Sequence, residues 1–243
     1  MKLLWFSCGV TSAVACKMAL EKYGSDNCLI FYFDIKSSHP DNDRFINDCE
    51  KWYGTNIIRY SGKYLDQFDV IKKTKYVNGA YGARCTVELK RKIRESLEKK
   101  YNWSGQVFGF EYSSNEIERS ERLPDYLNAE FPLITTFTTK ANALGILLNA
   151  NIDIPLMYKL GYPNNNCIGC VKGGKGYWNK IRIDFPDIFL KMSFLEREVG
   201  RSCLKESDGS RLFLDELLPD RGNTLKVIVP DCGFFCGDTS NYI

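Results

Sequence analysis

The chain has 243 residues, 44% of them hydrophobic, with 33 basic against 30 acidic residues for a net charge of +3. That length suits one large domain or a domain with an appendage, and the near-balance of charge excludes the footprint of a dedicated nucleic-acid binder. No apolar run reaches the roughly 18 residues of a membrane span, and the single histidine, His39, excludes a multi-histidine metal site.

The elements alternate in chain order. An apolar strand over 2–7 leads through a small, polar, glycine-bearing turn into a helix over 12–23, which Gly24 stops. Cys28–Phe33 is a continuous apolar run, as a strand buried on both faces requires. A helix over 41–53, a strand over 56–60, a helix over 65–73 and a long charged helix over 87–100 follow. Further strands are expected over 105–110 and 131–134, then a helix over 139–150. This order predicts an α/β fold: a parallel sheet with helices on both faces. Past residue 160 glycine and cysteine become dense and one helix follows, Pro186–Val199. We therefore expect a nucleotide-binding α/β domain over 1–160 and a cysteine-rich C-terminal region over 161–243 that covers it as a lid. The first six residues are too short for a secretory signal before the glycine turn, so the expected compartment is the cytoplasm. There, ten cysteines point to metal ligation or thiol chemistry rather than disulfides.

Open α/β sheets bind ligands beyond the carboxyl ends of their strands. A loop that runs from such a strand into a helix offers free N–H groups and the positive end of the helix dipole. Ser7, Cys8, Gly9, Val10, Thr11 and Ser12 form that loop here, small enough for an anion to approach the backbone; the same residues also read as a tight turn with a helix cap. The stretch Ser-Cys-Gly-Val-Thr-Ser resembles the phosphate loop of the phosphoadenosine phosphosulfate (PAPS) reductase and ATP-pyrophosphatase superfamily. Cys8 stands for that loop's first glycine and Thr11 for the aspartate of its ATP-cleaving members, which leans toward the reductases. Phe33-Asp34-Ile35 resembles the family's second strand, with Asp34 near the adenosine. Gly109-Phe110-Glu111, with Arg119 and Arg122 beyond, resembles its Gly-x-Arg segment near the phosphates, although no arginine follows Gly109. The segment over 154–162 resembles the approach to the family's Cys-x-x-Cys.

Cys167 and Cys170 form that pair in a glycine-rich turn, a spacing that fits zinc, an iron–sulfur cluster or a redox dithiol. Together with Cys85 they resemble the Cys-Cys…Cys-x-x-Cys pattern that holds a [4Fe–4S] cluster in some sulfonucleotide reductases, with zinc as the alternative. Arg84 replaces the first of the paired cysteines. The tail Asp231-Cys232-Gly233 resembles the signature whose cysteine attacks the sulfonucleotide, with Phe235 in place of its histidine. The resemblance thus implies Cys232 as nucleophile, with Cys236, ahead of Cys203, as fourth ligand. Arg84, Lys90, Arg91, Lys172, Lys175, Lys180 and Arg182 flank the paired cysteines and could converge on an anion, Lys90 on the nucleotide's phosphates. Cys8, Cys16, Cys28 and Cys49 sit in element patterns as small core hydrophobes. The implied reaction is reduction of PAPS or adenosine phosphosulfate with a thioredoxin-like reductant. The alternatives are an ATP-dependent sulfurtransferase acting on tRNA or another nucleobase, and a non-catalytic nucleotide-binding metalloprotein.

Overall fold

Five strands form one all-parallel sheet in the computed structural model, which describes residues 1–79 and 82–229. They are β1 (Lys2–Trp5), β2 (Cys28–Phe33), β3 (Ile58–Tyr60), β4 (Gly105–Val107) and β5 (Ala129–Glu130), in the spatial order β3-β2-β1-β4-β5. Lys2 pairs in register with Cys28 on one side and with Gly105 on the other, so β1 is central.

The continuous apolar pattern of β1 and β2 reflects burial on both faces. Leu4, Phe6, Ile30 and Tyr32 point into a core built with α1 (Val10–Tyr23) and α2 (Asn42–Tyr53). Their neighbours Trp5, Phe31 and Phe33 pack as rings on the other face, where Phe31 also meets Tyr101. The buried Trp5 indole donates to Gln106 Oε1 at 2.7 Å, which satisfies the one polar atom that this ring brings into the core.

Two compact units emerge. The first comprises Met1–Asp34, Pro40–Tyr60 and Ser96–Lys159 and contains the sheet. The second gathers Ile35–His39, Ser61–Glu95 and the chain from Leu160 onward. In it α3 (Gln67–Thr74) packs against a later helix, Pro186–Val199, and two short hairpins form, Asn78–Gly79 with Gly82–Ala83 and Leu204–Lys205 with Arg211–Leu212.

Three details differ from the sequence-based expectation. The fifth strand is Ala129–Glu130, and Pro132–Thr135 is a helical turn started by Pro132, whose missing N–H costs nothing there. The helix expected over 87–100 begins at Arg84 and carries a π-helical turn, Val87–Arg91, before Lys92–Lys100. A helix also forms over Lys175–Asp184, where glycines had obscured its start. Those glycines serve packing. A Cβ on Gly173 would strike the Tyr177 ring, and one on Gly176 would lie 2.7 Å from the Asn223 backbone.

Candidate functional site

The strand–helix loop lies within the first unit and is organised by one hydroxyl. Ser12 Oγ accepts the Ser7 N–H at 3.1 Å, the Gly9 N–H at 3.3 Å and the Ser7 hydroxyl at 3.1 Å, and donates to Gly9 O at 2.9 Å. Val10 N–H points to the Tyr158 hydroxyl at 3.4 Å. These backbone donors head the 14-residue α1, whose N-cap is Gly9 and whose first turn carries no acidic residue. Cys8 bends the loop with φ 61°, the left-handed region that non-glycine residues seldom adopt, and its buried sulfur contacts Asn42 O at 3.8 Å. The positive end of the α1 dipole lies at this bend. Gly109, just past β4, has to be glycine: its Cβ would lie 2.6 Å from Ser12 N. Asp34 is exposed at the carboxyl end of β2.

The cysteine site lies within the second unit. Cys85, Cys167 and Cys170 line one cavity of about 20 Å³ together with Ile35, Gln67, Thr86, Leu89, Lys90, Val171 and Lys172. The Cys-x-x-Cys turn is held by its backbone. Ile168 N–H donates to Ser37 O at 2.8 Å, Gln67 Nε2 donates to Ile168 O at 2.8 Å, and Cys170 N–H donates to the Tyr177 hydroxyl at 2.8 Å. Gly169 takes φ +76°, and its Cβ would meet Ile188 at 2.8 Å, so this turn tolerates only glycine. Cys85 is carried by the start of the helical run with the π-turn, a distortion frequent at functional sites. Elsewhere in this unit, burial first and the Glu196 carboxylate next push the Cys203 thiol well above the usual thiol range. Among the described residues no three His, Cys, Asp or Glu side chains are grouped to hold a metal ion as they stand. The thiols ring the cavity loosely. Lys90 and Lys172 line the same cavity as the three thiols.

The remaining expected residues divide. Lys90 and Lys172 reach the cysteine cavity. The other cations of that group have local partners: Arg84 pairs with Glu88 at 2.7 Å, Lys175 with Glu206 at 2.6 Å and Lys180 with Asp184 at 3.0 Å, while Arg182 donates to Leu217 O at 2.6 Å. Arg119, on the helix Ser114–Glu121, pairs with Glu116 at 3.0 Å and stacks on Phe110, and Arg122, the C-cap of that helix, pairs with Glu118. Cys8, Cys16 and Cys49 are buried core residues. Burial raises the thiols of Cys8 and Cys16 strongly and that of Cys49 to about 12, which makes all three inert as nucleophiles. Cys232 and Cys236 lie outside the described residues. Sequence reasoning did not single out Tyr158, Gln67 or Thr86. Nothing in their local patterns marks them, because each reaches its site across more than a hundred residues or through a helix turn.

No protein-family model and no curated protein sequence matches the chain. Among solved structures it is similar to the crystal structure of a phosphoadenylyl-sulfate (PAPS) reductase from Candida auris in complex with phosphate. The identity is 13%, the match covers 66% of this chain and 78% of that one, and the TM-score is 0.48. Among the described residues no helix is long and apolar enough to cross a membrane.

Proposed function

We propose that the chain is a sulfonucleotide reductase-like enzyme that reduces PAPS or adenosine phosphosulfate to sulfite at the expense of a thioredoxin-like dithiol. The observation that carries this reading is the loop at the head of α1. The Ser12 hydroxyl gathers the N–H groups of Ser7 and Gly9 and so fixes the loop at the positive end of the α1 dipole, where a phosphate is favoured. Backbone and dipole hold the anion there, and Asp34 at the end of β2 faces the nucleoside. In the chemistry implied by the sequence resemblance, the Cys232 thiolate attacks the sulfate sulfur. The bond from that sulfur to the phosphate oxygen breaks and the nucleotide leaves with the electron pair. The reductant then attacks the cysteine sulfur of the resulting thiosulfonate, sulfite departs with its electron pair, and a second reductant thiol frees the enzyme cysteine as the reductant closes its own disulfide. Cys85, Cys167 and Cys170 would hold a [4Fe–4S] cluster, with zinc as the alternative. When bound, the cluster supplies iron centres whose field favours thiolates and anions. Lys90 and Lys172 add fixed positive charge at the same cavity.

A second reading, an ATP-dependent sulfurtransferase acting on tRNA or another nucleobase, draws on Glu111. This carboxylate stands where the family's arginine is expected, and its Oε2 is buried without a hydrogen-bond partner. An acid near phosphates suits a divalent cation better than a bare sulfonucleotide. The full chain, incubated with each sulfonucleotide and reduced thioredoxin, is expected to release sulfite. Absence of sulfite from both nucleotides sinks the reductase reading. Pyrophosphate release from ATP would favour the sulfurtransferase, and nucleotide binding without any turnover a non-catalytic protein.

A further inference from the structure

The loops that follow β4 and β5 are tied together, and two aromatic rings meet at the tie. Tyr112 N–H, past β4, donates to Thr138 O, past β5, at 2.9 Å. The Tyr112 and Phe137 rings lie with their centroids 5.1 Å apart and their planes at 76°. Phe137 is 69% exposed and Tyr112 38%. Both residues belong to the first unit and follow the carboxyl ends of their strands, the side on which open α/β sheets take their ligands. Phe137 stands there against two ordinary preferences. The helical turn Pro132–Thr135 ends in a Schellman closure, with Thr138 N–H donating to Leu133 O at 2.7 Å and Phe137 N–H to Ile134 O at 3.1 Å. That closure sets Phe137 at φ 55°, where helix ends commonly place glycine and where a bulky side chain is an outlier. Elsewhere in this unit positive φ falls to Gly24, Gly54, Asn128 and Asn151, and otherwise to Cys8 in the strand–helix loop. The Phe137 ring is left in water, so the strained position gains little from burial. A large ring held in a costly backbone conformation and in solvent points to a ligand.

The segments that carry the two rings also run to the head of α1. Lys140, just past Phe137, sets its ammonium 5.9 Å from the centre of the Tyr158 ring, and the Tyr158 hydroxyl is the group that Val10 N–H meets at 3.4 Å. Gly109, just before Tyr112, packs against Ser12. Rings therefore stand at one end of this surface, with a cation and the positive end of a helix dipole at the other. That order matches a ligand with a flat base and a phosphate. Two rings at a steep angle form a corner in which a planar base lies on one face and meets the other ring edge-on. We infer that Tyr112 and Phe137 form a stacking platform for a nucleobase. The inference rests on the nucleotide-binding part of the reading above and not on its reduction chemistry. Asp34 ends β2, across β1 from β4 and β5. The stacked base thus belongs either to the nucleotide, turned toward β4, or to a single-stranded nucleic acid that binds as a second substrate.

The test compares the full-length wild type with Phe137→Gly and Phe137→Trp. Calorimetry measures their binding of adenosine 3′,5′-bisphosphate, ATP, a single-stranded oligoadenylate and, as a probe without a base, inorganic phosphate, with thermal melting alongside. Phe137→Gly removes the ring and relieves the backbone, so its Tm is expected to stay level or rise. Its affinity for a base-bearing probe is expected to fall roughly five- to a hundredfold, with phosphate binding unchanged. Phe137→Trp is expected to keep the affinity. A loss seen with the mononucleotides assigns the platform to the nucleotide's own base. A loss confined to the oligoadenylate assigns it to a nucleic-acid substrate. A wild type that binds no base-bearing probe overturns the nucleotide-binding reading and the inference with it. Base-bearing probes that bind Phe137→Gly as tightly as the wild type overturn the inference alone. So does an equal loss in Phe137→Trp. A fall in Tm or in phosphate affinity that accompanies the loss in Phe137→Gly also overturns it, because the ring then acts through the fold.

Discussion

The strand–helix loop at the head of α1 and the cysteine cavity are built in opposite ways. The loop draws almost everything from six consecutive residues: N–H groups, the bend at Cys8 and the Ser12 hydroxyl that ties them. Its partners from afar, Gly109 and Tyr158, only make room or add a hydroxyl. The cavity draws its thiols from positions 85, 167 and 170, and its walls from Ile35 and Gln67 as well. A site made of backbone is robust to side-chain change but intolerant of a misplaced Cβ. A site made of thiols is robust to backbone detail but fails with any one donor. The contrast gives each region a different weakest point.

The largest effect is expected at the thiols. If the proposed thiolate centre forms, replacing Cys170, buried and in the Cys-x-x-Cys turn, by Ala should abolish metal loading. It should also lower the Tm, because metal binding is coupled to folding. Metal analysis with thermal melting checks this. Full metal content in Cys170→Ala would remove the distinction drawn here. At the loop the corresponding lesion is an added methyl. Gly109→Ala forces a Cβ against the first turn of α1, for an expected loss of about 3 kcal/mol and roughly 10 °C in Tm. A Tm equal to the wild type would mean that α1 and β4 slide apart freely and that the loop is not rigidly set.

A smaller change probes the loop's polar centre. Ser12→Ala removes the acceptor shared by Ser7 N–H, Gly9 N–H and the Ser7 hydroxyl, at about 1–2 kcal/mol in stability. A bound anion satisfies the same N–H groups, so the variant should recover more stability on nucleotide or phosphate addition than the wild type does. Ligand-dependent melting of both proteins measures it. A smaller gain in the variant would argue that the donors do not face the ligand.

The same contrast explains what could be read from the sequence. Periodicity located β1, β2, α1 and the helix Pro186–Val199, because their side chains meet both faces of a core and the apolar runs are long. The loop was legible because its chemistry is contiguous. Cys167 and Cys170 were legible as a pair for the same reason. The hold of Glu196 on the Cys203 backbone was not, since it follows a glycine turn and has no local pattern. Lys175, Lys180, Arg119 and Arg122 read as an anion site along the chain; in the fold each also has a carboxylate at short range, from a helical neighbour or from Glu206, a contact that only the fold supplies for Lys175. The two-residue strand Ala129–Glu130 is too short to carry any period, and the apolar residues after it seeded a helical turn instead.

The weakest expected effect tests how the glycine-rich part of the cysteine unit is fastened. Glu206 receives Lys175 at 2.6 Å and Arg221 at 3.0 Å, which joins the start of the helix Lys175–Asp184 to the chain near 206 and 221. Hydrogen bonds from Arg221 first, and from Lys175 next, hold its carboxyl down to about 2 from the ordinary value of 4.5. A depressed folded-state value means that the stabilisation is present above the unfolded value and is lost as pH falls from about 4.5 toward about 2. The group is exposed to solvent, so salt screens the contribution and it stays small. The Tm difference between the wild type and Glu206→Gln should therefore be positive near pH 6, shrink through this acid window and fade in high salt. A difference that persists unchanged at the acid end would show that Glu206 acts through packing rather than charge. In that case the fastening of this unit, like that of the phosphate loop, would rest on shape.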